Sequence, residues 1–153
     1  MTGVKDELRA NLVEAHQELV ALLDSMTPAE MDRLSPNEGW TAKDTLAHLS
    51  TIEIRMRGQV QTVLAGLPFP RDNVNDFNEA QVAERKDWTV GQLRDELERE
   101  HGLTLALLEG LSEEALAREF DHPRRGRIPL AGIFPIIPNH MRTHSADIAA
   151  TKG

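Results

Sequence analysis

Cysteine is absent from the 153 residues. That excludes disulfides, thiolate metal sites and a cysteine nucleophile, so any thiol chemistry must take its sulfur from a molecule outside the chain. Tyrosine is also absent and aromatics amount to 4%, too few for a base-stacking platform. Basic residues are outnumbered: 17 Lys and Arg stand against 25 Asp and Glu, a formal net charge of −8. An extended phosphate-binding surface needs clustered cations, so this balance argues against nucleic acid as a partner. No run approaches the ~18 uninterrupted apolar residues of a membrane span. The N-terminal stretch MTGVKDELRANLVEAHQ has no apolar core of the signal-peptide kind. The expectation is a cytoplasmic protein with no membrane partner.

What is present favours helix. Hydrophobic residues make up 40% of a 17.1 kDa chain, enough for the core of a single domain over residues 1–153. Leu and Ala number 35 against 15 Val and Ile, a bias toward helix formers. Val4, Leu8, Leu12, Ala15, Leu19 and Leu22 recur at spacings of three and four, which is one stripe on a first helix. Thr27-Pro28-Ala29-Glu30 reads as a capping box opening a short turn to about Leu34. Thr41 with Asp44 starts a second long helix with the stripe Leu46, Leu49, Met56, Val60, Val63 and Leu67, ended by Gly66 and Pro68. A mainly polar segment, Val74 to Lys86, is compatible with helix. Thr89 with Gln92 then caps a third helix burying Leu93, Leu97, Thr104, Leu108 and Leu111. Ser112 caps another short turn. Arg118 to Gly132 shows no helical period. The last helix carries Ile133, Ile137, Met141 and Ile148; Pro135 and Pro138 require either a kink or a start at Pro138.

Four long helices with one apolar face each predict an all-α four-helix bundle. More than 20 residues join the second and third, enough to cross the ~30 Å length of a bundle. Such a long crossover lets those two helices run parallel.

Two of the six histidines interrupt the fourth apolar stripe: Ile133, Ile137, His140, His144, Ile148. In NHMRTHSAD the His-x-x-x-His spacing places both on one face, a turn apart, where their nitrogens can converge on one cation. Buried imidazoles without partners are costly, which favours a shared ligand; the alternative is rings that are partly exposed or hydrogen-bonded to each other and to carbonyls. His48 lies ~9 Å inside the second helix and His144 ~9 Å from the end of the fourth. If those helices are antiparallel, His48, His140 and His144 share one level of the bundle.

WTAKDTLAHL, followed far downstream by HMRTHSADI near a helix end, resembles the DinB-like superfamily, which includes bacillithiol transferases and the N-terminal domain of mycothiol-dependent maleylpyruvate isomerase. NDFNEAQVAER is similar to the crossover of its actinobacterial-type members. The resemblance implies an up-down-down-up bundle with a long crossover between helices two and three. It also implies a divalent metal ion, usually zinc or nickel, on His48, His140 and His144, and pairing into a homodimer. Pro138, two residues before His140, leaves the effect on the ligand-bearing turn open.

Three neutral imidazoles leave a +2 cation an open position, which suits catalysis better than a closed structural site. There it would lower the pKa of a bound water toward ~7 or stabilise an external low-molecular-weight thiol as thiolate. Asp147 is the candidate catalytic side chain, either as general base or as the group orienting a ligand histidine; a solvated carboxylate is the alternative. The leading expectation is a metal-dependent enzyme attacking a small electrophilic substrate, as thiol S-transferase or as hydrolase. The other is a non-catalytic small-ligand-binding or stress-response bundle with a structural metal. DNA repair, a third class, is opposed by the net charge. His101 is expected in the core and His16 and His122 at the surface. Trp40 reads as packing before the Thr41 cap or roofing the site, and Asn75 and Asn78, on the crossover, as solvated helix surface, with lining a pocket as the alternative. Arg124, Arg125 and Arg127 form the one basic patch, a feature that would attract an anionic substrate, but the topology places them in a solvated loop at the end away from the histidines.

Overall fold

Three threonines begin helices where their spacing requires. Thr27, Thr41 and Thr89 each accept a hydrogen bond from the backbone N–H three residues on, and Glu30, Asp44 and Gln92 reach back to the capping N–H. Such a cap contributes ~1 kcal/mol. The structure, a computed structural model, describes residues 3–37, 39–71 and 73–153. In chain order the elements are α1 (Val4–Asp24), α2 (Pro28–Met31), α3 (Ala42–Leu64), α4 (Val74–Glu84), α5 (Val90–Gly110), α6 (Glu113–Ala117), β1 (Glu119–His122), β2 (Gly126–Pro129) and α7 (Ile136–Ala149), with a 3-10 turn at Leu130–Ile133 before α7.

The long helices α1, α3, α5 and α7 form the expected bundle, and cross-helix partners fix its directions. His16 and Asp24 of α1 meet Glu98 and Arg94 of α5, so these two run antiparallel. Ser50 and Arg57 of α3 meet Glu96 and Glu100 of α5, so these run parallel. On α7, Arg142 reaches Asn11 and Glu18 of α1, and beyond the helix end Lys152 reaches Ser25, a parallel pairing. The order is up-down-down-up. The crossover passes through α4, whose Val82 is buried against the bundle.

The apolar stripes face inward nearly as their spacing predicts: Leu12, Leu19, Leu46, Leu49, Leu93, Leu97, Leu108, Ile133, Ile137 and Ile148 are all essentially inaccessible. Val4, the first residue of α1, and Leu67, beyond the end of α3, are exposed because no neighbour covers these helix ends. Charged groups also enter this interior, in pairs. Glu96 accepts from Arg85 Nε at 2.9 and 3.1 Å and from the Ser50 hydroxyl at 2.8 Å. Arg57 pairs with Glu100 and donates to the Thr104 hydroxyl at 3.0 Å.

Three local features depart from the expectations. α7 neither kinks at the prolines nor waits for Pro138; it starts at Ile136, with Pro135 at its N-cap and Pro138 in the first turn. Amide protons there have no intrahelical acceptor, so proline removes nothing the helix uses. The stretch after Arg118 forms an antiparallel hairpin of β1 and β2. Gly126, at φ 73°, supplies the left-handed residue of its tight loop. His16 is not at the surface: it is 8% exposed and stacked on His101, ring centroids 4.0 Å apart.

Two stability predictions follow from these interior groups. Glu96→Ala removes the buried carboxylate that Arg85 Nε and the Ser50 hydroxyl share, leaves Arg85 only the exposed Glu84 carboxylate at 3.8 Å and the Gln81 oxygens, and should lower unfolding free energy by about 3 kcal/mol in urea titrations. His16 is held below its ordinary 6.5 by burial and then by His101, against an opposing pull from Glu98. The unfolded chain therefore takes up a proton that the folded one resists. The resulting stability is full above ~6.5 and is lost as pH falls below it. Urea midpoints measured across that window should decline less steeply in His16→Gln than in the wild type.

Candidate metal centre

The seam between α3 and α7 brings three imidazoles together. His48, 3% exposed, projects from the second turn of α3, and His140 and His144 project from successive turns of antiparallel α7. The His48 ring stands nearly perpendicular to both, with centroids 4.8 Å from His144 and 6.4 Å from His140, while the α7 rings are stacked 5.8 Å apart. One nitrogen from each can be chosen so that all three lie within 4.8 Å of one another. Among the described residues this is the one group of three His, Cys, Asp or Glu side chains with such convergence.

Their surroundings hold two of the rings, His48 and His140, below the ordinary imidazole pKa. Burial, reinforced by His144 and His140, pushes His48 down to about 3. His140 is also lowered, by burial first, then by His144 and by the charge of Arg125. His144 Nδ1 lies 3.1 Å from Asp147 Oδ2, which leaves its Nε2 free to face the other rings. The buried Nδ1 of His48 has no hydrogen-bond partner. An all-nitrogen donor set with an orphaned buried nitrogen and a carboxylate behind one ring fits a divalent transition metal. Trp40, 8% exposed, packs on His48 with ring centroids 5.0 Å apart, so it both precedes the Thr41 cap and walls the site.

His140 also lines a cavity of about 390 Å³ bounded by α3, α4, α7, the crossover and the hairpin tip. Here the expectation for the arginine loop is overturned. Arg124 and Arg125 line this same cavity, not the far end of the bundle. The hairpin is turned toward the crossover by aromatic packing: Phe69 stacks on Phe120 at 5.6 Å and meets His122 at 4.8 Å. His122 Nδ1 accepts the backbone N–H groups of Arg124 and Arg125 at 3.1 and 3.2 Å, fixing the tip. His122 is therefore half-buried beside the cavity, not a bare surface residue. Asn78 lines the cavity too, with its Oδ1 buried and unpartnered; Asn75 is exposed, as expected. Sequence reasoning missed Gln59 and Arg71, which complete the wall. The turn signature Pro123-Arg124-Arg125-Gly126, flanked by β-compatible residues, was the available signal for the hairpin.

His101 is in the core as expected, 5% exposed, with Nδ1 3.5 Å from an oxygen of fully buried Glu53. These two do not join the histidine trio.

The model of the DinB superfamily matches residues 11–148, and the chain belongs to that superfamily. Solved structures with the same fold include the mycothiol-dependent maleylpyruvate isomerase, at 20% identity and TM-score 0.76 over 97% of this chain. The chain spans 63% of that protein's length. YfiT from Bacillus subtilis, described as a probable metal-dependent hydrolase with an unusual four-helix bundle topology, aligns at 23% identity and TM-score 0.73 over 96% of this chain and 85% of its own. The colibactin self-resistance protein ClbS, solved with a double-stranded DNA, aligns at 14% identity and TM-score 0.75, covering 94% and 92% of the two chains. The exclusion of nucleic acid from net charge is thus unsupported at the level of the fold, since whole-chain charge averages over local clusters. The comparison with curated proteins finds no match. No described helix is long and apolar enough to cross a membrane.

Proposed function

We propose that this chain is a metal-dependent enzyme that directs water or a low-molecular-weight thiol onto a small electrophilic substrate. The observation that carries the reading is the trio His48, His140 and His144, converging beside a cavity that His140 itself lines. These three side chains would hold one divalent ion, zinc or nickel by the chemistry of an all-imidazole set. When bound, such an ion supplies Lewis acidity that makes a water or a thiol nucleophilic near neutral pH. Asp147 accepts from His144 Nδ1–H and so acts as a positioning residue, keeping Nε2 directed at the other rings. Trp40 shields His48 from water. The chain has no cysteine, so the thiol variant needs an external thiol. The solved relatives support both variants in kind, one described as mycothiol-dependent and one as a probable metal-dependent hydrolase.

Elemental analysis of untagged protein after gel filtration tests the site. The expected result is roughly one zinc or nickel per chain, lost in His48→Ala and in His144→Ala while helical circular dichroism is retained. Asp147→Ala should keep the fold but weaken metal affinity about 10- to 100-fold in chelator competition. Activated esters and epoxides, offered with and without thiols, then distinguish hydrolysis from thiol transfer, and turnover should vanish on chelation. Absence of metal with no uptake of added zinc or nickel would overturn the reading. Metal without turnover of any such substrate would leave a ligand-binding bundle.

A further inference from the structure

The arginines of this chain divide into two groups. Arg9, Arg57, Arg85, Arg94, Arg99, Arg127 and Arg142 are ion-paired with carboxylates. Arg33 and Arg118 donate to backbone carbonyls, and Arg55 lies over the Phe77 ring. Among the described residues, the side chains of Arg71, Arg124 and Arg125 alone have neither an ion pair nor a hydrogen bond, and all three line the cavity that reaches His140. Three unneutralised guanidiniums in one wall repel one another, and carboxylates are plentiful in a chain of net charge −8. None has been recruited to them. Their backbone is not left loose either, because His122 pins both tip amides and is itself held against Phe69 and Phe120.

The rest of the wall says what the charge is attached to. Ile52, Met56 and Ile136 give it an apolar side. Gln59 and Asn78 line the same space, and one end of each amide, Gln59 Oε1 and Asn78 Oδ1, is buried without a partner. Either amide serves as donor or acceptor, because its two ends exchange by rotation. A volume of about 390 Å³ is at the small end for organic ligands. A duplex phosphate backbone is met by cations spread along an extended surface, whereas these guanidiniums gather round one small cavity.

We propose that this cavity binds a small organic oxyanion, a carboxylate or phosphoryl group on an apolar body, held by Arg71, Arg124 and Arg125 with Gln59 and Asn78 as hydrogen-bonding partners. This deepens the enzymatic reading by naming the substrate class; it rests on that reading for what becomes of the ligand, not for its binding.

Calorimetric titration with benzoate, phenyl phosphate and benzamide, three head groups on one apolar body, tests the assignment. Protein as purified is compared with the double variant Arg124→Gln/Arg125→Gln, with metal content measured on the same samples. At least one anion should bind about tenfold or more tightly than neutral benzamide, and the double variant should lose that advantage while its benzamide affinity and metal content stay unchanged. Which anion gains identifies the head group as carboxylate or phosphoryl. Equal affinity for benzamide and both anions, or anion affinity indifferent to the two substitutions, overturns the proposal. So does arginine-dependent binding of a duplex oligonucleotide in preference to either anion, which would assign the cluster to nucleic acid. Arginine-dependent anion binding in wild type that holds no metal and takes up neither added zinc nor nickel would sink the metal centre alone. Bound metal without arginine-dependent binding would sink the anion site alone.

Discussion

The antiparallel seam of α3 against α7 is the constraint on which the rest of the molecule depends. Residue types alone do not make a site of His48 and the α7 pair; the second turn of one helix must lie beside the last turns of the other. That register exists because α3 runs parallel to α5, which leaves α7 to return between α3 and α1. A parallel pair needs a connection spanning the bundle, and α4 provides it. The same crossover then walls the cavity beside His140. One topological choice thus produces both the convergence of imidazoles and the space in front of them.

The charged interior reinforces that choice. Glu96 satisfies Ser50 of α3 and Arg85 at the end of the crossover, while Lys86 pairs with the capping carboxylate Asp44 at 3.0 Å. These contacts tie the start of α3, the end of α4 and the middle of α5 into one network. An apolar interface would slide along the bundle axis at little cost, whereas these pairs have a defined register. A buried pair contributes little net stability, yet breaking one partner away is expensive. The network therefore resists displacement more than it adds to stability.

Much of this was legible in sequence, and the reasons are physical. Leu12, Leu19, Leu93, Leu97 and Leu108 announced their burial by helical spacing, because burial of one stripe is what such spacing serves. The three capping boxes were readable because they are local, closing within four residues. His140 and His144 were conspicuous as polar side chains in apolar slots. The hairpin was signalled only by its Pro123–Gly126 turn: its strands are four residues each, too short for alternation to show, and Phe69 that orients it lies some fifty residues earlier. Without that contact the helix order alone placed the arginine loop at the end away from the histidines, in solvent. His16 was misjudged because its partners, His101 and Glu98, belong to α5. Local patterns were readable and long-range side-chain contacts were not.

Two of the interior's polar clusters hold histidines, and their accessibility assigns them different roles. Glu53 is fully buried with both oxygens lacking hydrogen bonds, and the group near it, His101 Nδ1 at 3.5 Å, is itself sealed in the core. No ligand reaches that pair without the bundle opening, so it is a closed arrangement whose cost is carried by the surrounding packing. The histidine trio has the opposite character. His48 is as deeply buried as Glu53's neighbours, but His140 and His144 are only half-buried and His140 opens onto a cavity walled by unpaired arginines. Desolvation holds His48 and His140 neutral, which removes repulsion among the rings and leaves lone pairs without donors. A site that offers lone pairs at its inner end and guanidiniums at its outer end is incomplete in two complementary ways. A cation satisfies the first and an anion the second, and each favours the other by charge across one small space.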